Sequence, residues 1–369
     1  MDQTGKTLMS LVRSALWGGP ADAVDKDTDW NGVLLLAKQQ TVLGLMAESV
    51  QNLPQKLRPA EDILKKLKHH LIRNFQAHAL LNRKLGETLE LMRSHDIHPV
   101  LFKGQGLAQN YPNPLSRQCG DIDLYVGKDC YDKACNVAFD AFGRDEHASE
   151  SLKHMHLDND GVTIELHRIA ESVPGIRADR NFQKWTRHYL HDSQRRKVEI
   201  DGVMVELPPV HFDAVYIMNH AWHHFVNGGI GMRQMCDWTL YIHRFHSEID
   251  PSLLREELKM LGLTKVWHFF SWIAVNALGL PEDECPLYEG RYGKTAARVL
   301  DVILEEGNFG RYSRHKSKPR PKGYTEGKLH SFKVNTRRYF RHFGVYPAFM
   351  FKSWFHYVSG GIYHFVKDF

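Results

Sequence analysis

The stretch Gly120-Asp121-Ile122-Asp123-Leu124-Tyr125-Val126 decides the fold. Acidic and apolar side chains alternate through it, with Asp121, Asp123 and Tyr125 on one face and Ile122, Leu124 and Val126 on the other. A period of two means a strand with one face packed on a core. The two carboxylates therefore project to the same side, a few ångströms apart. Carboxylates that close repel, so one must take up a proton or a cation must neutralise both. A divalent ion such as Mg²⁺ or Mn²⁺ suits an oxygen-rich site of this kind.

The flanks add to this reading. Upstream, Pro99-Val100-Leu101-Phe102 is a short apolar run, expected as a strand. It leads through Lys103-Gly104-Gln105-Gly106 into a helix expected at about 105–110. A glycine-bearing strand-to-helix turn offers backbone N–H groups to phosphate, and Lys103 and Arg117 add cations for a polyphosphate. Gly120 permits close approach of a ligand. Downstream, residues 129–142 have helical spacing. Two hairpins follow. Leu152–Asp158 turns at Asn159-Asp160-Gly161 into Val162–Arg168, and Val198–Ile200 turns at Asp201-Gly202 into Val203–Leu207. Asp-Gly is the pair that tight hairpins favour. In the first hairpin Thr163, Glu165 and His167 share a face, so side-by-side pairing with the Asp121 strand makes Glu165 a third carboxylate.

These residues resemble an uncharacterised bacterial nucleotidyltransferase family within the DNA polymerase β-like nucleotidyltransferase superfamily. The likeness runs through Phe102–Leu107, Tyr111-Pro112, Arg117, Gly120–Val126 and Ile164-Glu165-Leu166-His167, and more loosely through His220, His224, Arg233 and Asp237. It covers roughly residues 30–250, including the helices around Trp30. The resemblance implies that Asp121, Asp123 and Glu165 form the catalytic and metal-binding set. Lys103, Gly104, Gln105, Arg117 and Arg233 would serve the nucleotide. Where the superfamily has Gly-Ser or Gly-Gly at the phosphate turn, this chain has Lys103-Gly104-Gln105, and Lys103 or Gln105 would take the serine's contact. The implied reaction moves a nucleoside monophosphate from a nucleoside triphosphate to a hydroxyl or phosphate acceptor and releases pyrophosphate. The alternatives are a non-catalytic nucleotide-binding or scaffold protein of the same fold, and an Asp-x-Asp glycosyltransferase. The second is disfavoured because only one short strand precedes the acidic pair.

The expected architecture is α+β: a small mixed sheet with helices, flanked by helical regions on both sides. The expected divisions are a helical region at 1–95, the α/β core at 96–210, a helical domain at 211–307 and a tail at 308–369. The chain of 369 residues is 43% apolar and 25% charged, which excludes disordered, collagen-like and disulfide-scaffold classes. The net charge of +5 is uneven: residues 308–342 carry eleven Lys or Arg and one acid, so the remainder is mildly acidic. The stretch 311–341 is thus a candidate surface for nucleic acid or an anionic membrane. Residues 339–369 carry twelve aromatics, expected to form a final helix on the core.

Five Cys without a CxxC pair, no signal peptide and no transmembrane stretch point to a reducing, cytoplasmic setting. His220, His223 and His224 share one helical face, read chiefly as structural or substrate-contacting rather than metal-ligating. Arg233 and Asp237 stand at i and i+4, either an ion pair or a reach towards nucleotide. The Gly-Lys-Thr triplets at 5–7 and 293–295 lack the spacing of a phosphate-binding P-loop.

Overall fold

The computed structural model describes residues 1–143, 153–191, 195–312, 321 and 323–367, with side chains as far as Ser359 except that of Tyr324. The chain begins with helices α1 (Gln3–Trp17), α2 (Trp30–Gln39), α3 (Leu43–Gln51) and the long α4 (Glu61–Arg93). Strand β1 (Val100–Phe102), helix α5 (Gly104–Ala108), strand β2 (Asp121–Tyr125) and helix α6 (Gly127–Phe142) follow. Next come β3 (His154–Asn159), β4 (Val162–His167), α7 (Ile176–Leu190), β5 (Arg196–Ile200) and β6 (Val203–Leu207). Helices α8 (Val210–Asn227), α9 (Met232–Phe245), α10 (Pro251–Leu261), α11 (Thr264–Asn276), α12 (Gly293–Glu306), α13 (Tyr324–Arg341) and α14 (Pro347–Lys367) complete it. This is the expected α+β class.

The main sheet has the order β1-β2-β4-β3. β2 pairs antiparallel with β1 and parallel with β4, and β4 pairs antiparallel with β3. Both hairpins turn where Asp-Gly stands. Asp160 and Gly161 have φ of 52° and 82°, and Asp201 and Gly202 have 52° and 79°, the two left-handed positions of a tight type I′ turn. The first expected strand was drawn from Leu152, which lies outside the described residues.

The period of two sorts the sheet between two cores. Leu101, Ile122, Leu124, Ile164, Leu166, Met155 and Leu157 face one way, onto Leu81, Leu85, Leu89 and Met92 of α4 and Tyr131, Ala134 and Ala138 of α6. On the opposite face Phe102 packs with Phe212 and Tyr216 of α8. That side belongs to a larger core in which α1–α3 and α8–α12 share buried residues from Leu8 to Ile303. Ile63 and Leu67 of α4 also join it, so one helix serves both cores. Among the described residues no helix is long and apolar enough to cross a membrane. All five Cys are free thiols.

α14 carries seven of the twelve terminal aromatics, with Tyr339 and Phe340 on α13 and Phe369 outside the described residues. Phe349, Trp354 and Tyr357 rest on the core, while Phe351 and Phe355 stand exposed. The C-terminal part of the basic stretch is the helix α13; positions 313–320 and 322 lie outside the described residues.

Candidate active site

Parallel pairing sets Asp123 opposite Glu165, and Asp121 opposite Thr163. One-residue slippage would turn Glu165 to the core face, and the buried Ile164 and Leu166 prevent it. Asp121, Asp123 and Glu165 thus line one cleft of about 350 Å³. Its other wall comes from the helical body: Ile217, His220, Ala221, His223 and His224 of α8, and Arg233, Gln234 and Asp237 of α9.

The turn after β1 shapes the cleft floor. Lys103 adopts φ 52° and ψ −137°, rare for a residue with a side chain, and Gly104 follows at φ 45°. This double left-handed step ends the strand abruptly. The Lys103 ammonium donates to Asp123 Oδ1 at 3.1 Å and lies 3.1 Å from His220 Nε2. His220 Nδ1 in turn lies 3.3 Å from Glu171 Oε2. Burial, reinforced by the neighbouring Lys103, pushes His220 down to about 4, so its ring is neutral and can accept from the ammonium. Glu171 is buried, yet His223, His220 and Lys153 hold its carboxyl well below the ordinary range.

His167 sits at the other end of the acidic group. Its Nε2 lies 2.9 Å from Asp123 Oδ1 and 3.4 Å from Glu165 Oε2. His156 Nδ1 is 3.2 Å from Glu165 Oε1. Burial opposes ionisation of Asp123, but Lys103 and His167 outweigh it and hold its carboxyl below the usual range. Burial likewise opposes ionisation of Glu165, and His167 overrides it.

Asp121 is different. It stands at the open side of the sheet, and among the described residues its carboxylate makes no ion pair or hydrogen bond. The charge of Asp123, with burial, pushes its pKa up. Three carboxylates on one face, one without a partner, are an oxygen donor set that fits Mg²⁺ or Mn²⁺.

Of the residues expected at a nucleotide, Lys103, Gly104, Arg117 and Arg233 line the cleft. Gln105 does not: residues 103, 104 and 107 face the cleft, and 105 points to the other side of α5, where it is buried. Arg117 is committed elsewhere. Its guanidinium makes a two-pronged pair with Asp237, Nε to Oδ1 at 2.7 Å and Nη2 to Oδ2 at 2.9 Å, and Tyr111 Oη donates to the same Oδ1 at 2.7 Å. Among the described residues the i, i+4 ion pair, one of the two readings of Arg233 and Asp237, does not form, and an Arg117–Asp237 pair ties the loop before β2 to α9. Arg233 instead donates from Nη1 to the Gln118 carbonyl at 2.9 Å and has a buried Nε without a partner. Glu171, His154 and His156 were missed as cleft residues. Only the alternation along β3 could have placed the two histidines opposite Glu165 and His167.

A mixed sheet carrying in-register carboxylates, a lysine-glycine turn beside them and a helical wall opposite together describe a nucleotidyltransferase-like fold. A profile of the family described as uncharacterised nucleotidyltransferase matches residues 26–279, and the chain belongs to that family. Among solved structures the chain is similar to an antigenic nucleotidyltransferase-like protein from Paracoccidioides brasiliensis, with 15% identity and a TM-score of 0.32 over 50% of this chain and 91% of that one. Comparison with curated proteins finds no match.

Proposed function

We propose that this chain transfers a nucleoside monophosphate from a nucleoside triphosphate to a hydroxyl or phosphate acceptor. The observation that carries the reading is the register of Asp123 with Glu165, with Asp121 two residues away on the same face. Asp121, Asp123 and Glu165 would hold Mg²⁺ or Mn²⁺, which when bound supplies charge neutralisation of the triphosphate and polarises the reacting phosphorus. The acceptor oxygen bonds to the α-phosphorus, the bond from that phosphorus to the bridging oxygen breaks, and pyrophosphate leaves. Lys103 and Arg233 supply positive charge along the triphosphate. Glu165, with His156 at 3.2 Å, would take the acceptor's proton.

Calorimetry with each nucleoside triphosphate, with and without Mg²⁺, tests binding. Pyrophosphate release over a panel of acceptors tests transfer. Mg²⁺-dependent binding and release, both lost in Asp121→Ala, is the expected result. If no triphosphate bound in the presence of Mg²⁺, the proposal would fail; binding without release would favour a nucleotide-binding scaffold.

A further inference from the structure

Six histidines line the cleft, and two that the nucleotide reading does not use form a cluster with Glu165. One ring nitrogen each of His154 and His167 and a carboxylate oxygen of Glu165 all lie within 4.8 Å of one another. These side chains come from adjacent strands in register: His154 opposite His167, and Glu165 two residues before His167 on the same face. A tetrahedral ion with bonds of about 2.0–2.1 Å needs its ligand atoms about 3.4 Å apart, within reach of small side-chain rotations.

We propose that His154, Glu165 and His167 bind a transition-metal ion, of the Zn²⁺, Mn²⁺ or Co²⁺ type, at a position beside the one held by Asp121 and Asp123. The second, independent observation is at His167. Both groups near its Nε2 are carboxylates, which can only accept, so Nε2 carries the proton. Its Nδ1, the nitrogen turned away from Asp123, is buried with no hydrogen-bond partner among the described residues. Asp123, accepting from Nε2, orients this ring as a second carboxylate commonly orients a metal-bound imidazole. Two imidazoles and one carboxylate favour Zn²⁺ and its neighbours over Mg²⁺, which takes oxygen donors.

The site deepens the metal assignment of the proposed transferase, but its test needs no nucleotide. Full-length protein stripped with chelator is titrated with Zn²⁺ by calorimetry and with Co²⁺ by visible absorption. One ion per chain, a Co²⁺ spectrum of a nitrogen-bearing site, and affinity at least about tenfold weaker in His154→Ala are expected. His95→Ala, at a surface imidazole just past the end of α4, should bind as the parent does. Unchanged binding in both His154→Ala and Glu165→Gln, or no Co²⁺ absorption band, overturns the inference. A chain that binds Zn²⁺ here but no nucleotide sinks only the transferase reading.

A different surface carries a second inference. Residues 327–367 contain seven Lys or Arg and no Asp or Glu. On α13 and α14, Phe340, Phe351 and Phe355 are 56%, 54% and 62% exposed. Phe340, Phe343, Phe351 and Trp354 surround one shallow depression, and Lys333, Arg337 and Lys352 are exposed on the same two helices. We infer that this helix pair docks on an anionic lipid surface, with the rings entering the interface and the cations meeting headgroups. Exposed rings spaced at i and i+4 match a bilayer interface better than a phosphate track. Flotation with vesicles of phosphatidylglycerol and phosphatidylcholine should recover the full chain in a salt-dependent way. Vesicles of phosphatidylcholine alone should not, and Phe351→Asp with Phe355→Asp should abolish recovery. No recovery by anionic vesicles, or recovery unchanged in the double variant, overturns it, as does binding to RNA with none to vesicles.

Discussion

The Nε2–H of His167 donates to Oδ1 of Asp123 at 2.9 Å, and the ammonium of Lys103 meets the same oxygen at 3.1 Å. One carboxylate oxygen thus accepts from two side chains, while among the described residues the carboxylate of Asp121 on the same strand accepts from none. His167→Ala should remove a hydrogen bond to a charged group, a loss of about 1.5–3 kcal/mol in unfolding free energy. Pyrophosphate release should fall by at least about tenfold, since the acidic group loses an orienting partner. Thermal unfolding and a pyrophosphate assay check the two effects separately.

Arg117 and Asp237 are both buried. Asp237→Asn should therefore cost about 3–5 kcal/mol, because it strands an uncompensated guanidinium in the interior. The double variant Arg117→Met with Asp237→Leu should regain most of that loss, as apolar replacements of buried pairs commonly do. Urea unfolding of Arg117→Met, Asp237→Leu and the double gives the cycle. Additive losses would mean that the pair is not coupled.

Two glycines separate packing from ligand contact. A Cβ at Gly44 of α3 would stand 2.1 Å from the Ser116 carbonyl oxygen, in the loop that carries Arg117. Gly44→Ala should destabilise by about 1–3 kcal/mol through overpacking. At Gly120 a Cβ would meet nothing within 4 Å. Gly120→Ala should leave stability within about 0.5 kcal/mol and weaken nucleotide binding, because a ligand over Asp121 must approach this backbone. Equal nucleotide affinity in Gly120→Ala and parent would count against a close approach there.

The acid stability of the C-terminal helices should rest on Glu306. Its carboxylate meets Arg338 at 2.6 Å, His342 at 3.1 Å and Arg341 at 3.3 Å, tying α12 to α13. Burial opposes its ionisation, but His342, Arg338 and Arg341 outweigh that and hold its pKa below the ordinary 4.5. A depressed carboxyl contributes stability above the unfolded value and loses it as pH falls through the folded one. The parent should therefore lose α13 protection below about pH 4.5, followed by limited proteolysis or hydrogen exchange. Glu306→Gln should show the weakened state already at pH 7 and little further change in that window.

The strands and hairpins were legible because each announces itself locally. Alternation along 121–126, the Asp-Gly turns and the Lys103-Gly104 step all act within a few residues. Residues 293–306 carry apolar side chains at helical spacing, and α12 spans Gly293–Glu306. Partnership across the chain was not legible. Spacing offered Arg233 as the mate of Asp237, whereas burial of the loop before β2 brings Arg117 to it across 120 positions. Gln105 was read as a phosphate contact from its place in a motif, and the turn of α5 points it away. The part played by His220, Glu171 and His154 depends on how α8 and β3 flank the sheet, which no local pattern encodes.

Helix α4 runs for 33 residues, about 50 Å. Its first turns pack against α2 and α3, in the core that also holds the helices bearing His220 and Arg233, and its last turns lie behind the strands that bear the carboxylates. Lys84, in its C-terminal third, also grips the hairpin tip through Asp160 at 2.6 Å. The two jaws of the cleft are thus mounted on one rod. A substitution that unseats either end of that rod alters the gap between the jaws without touching any residue inside it.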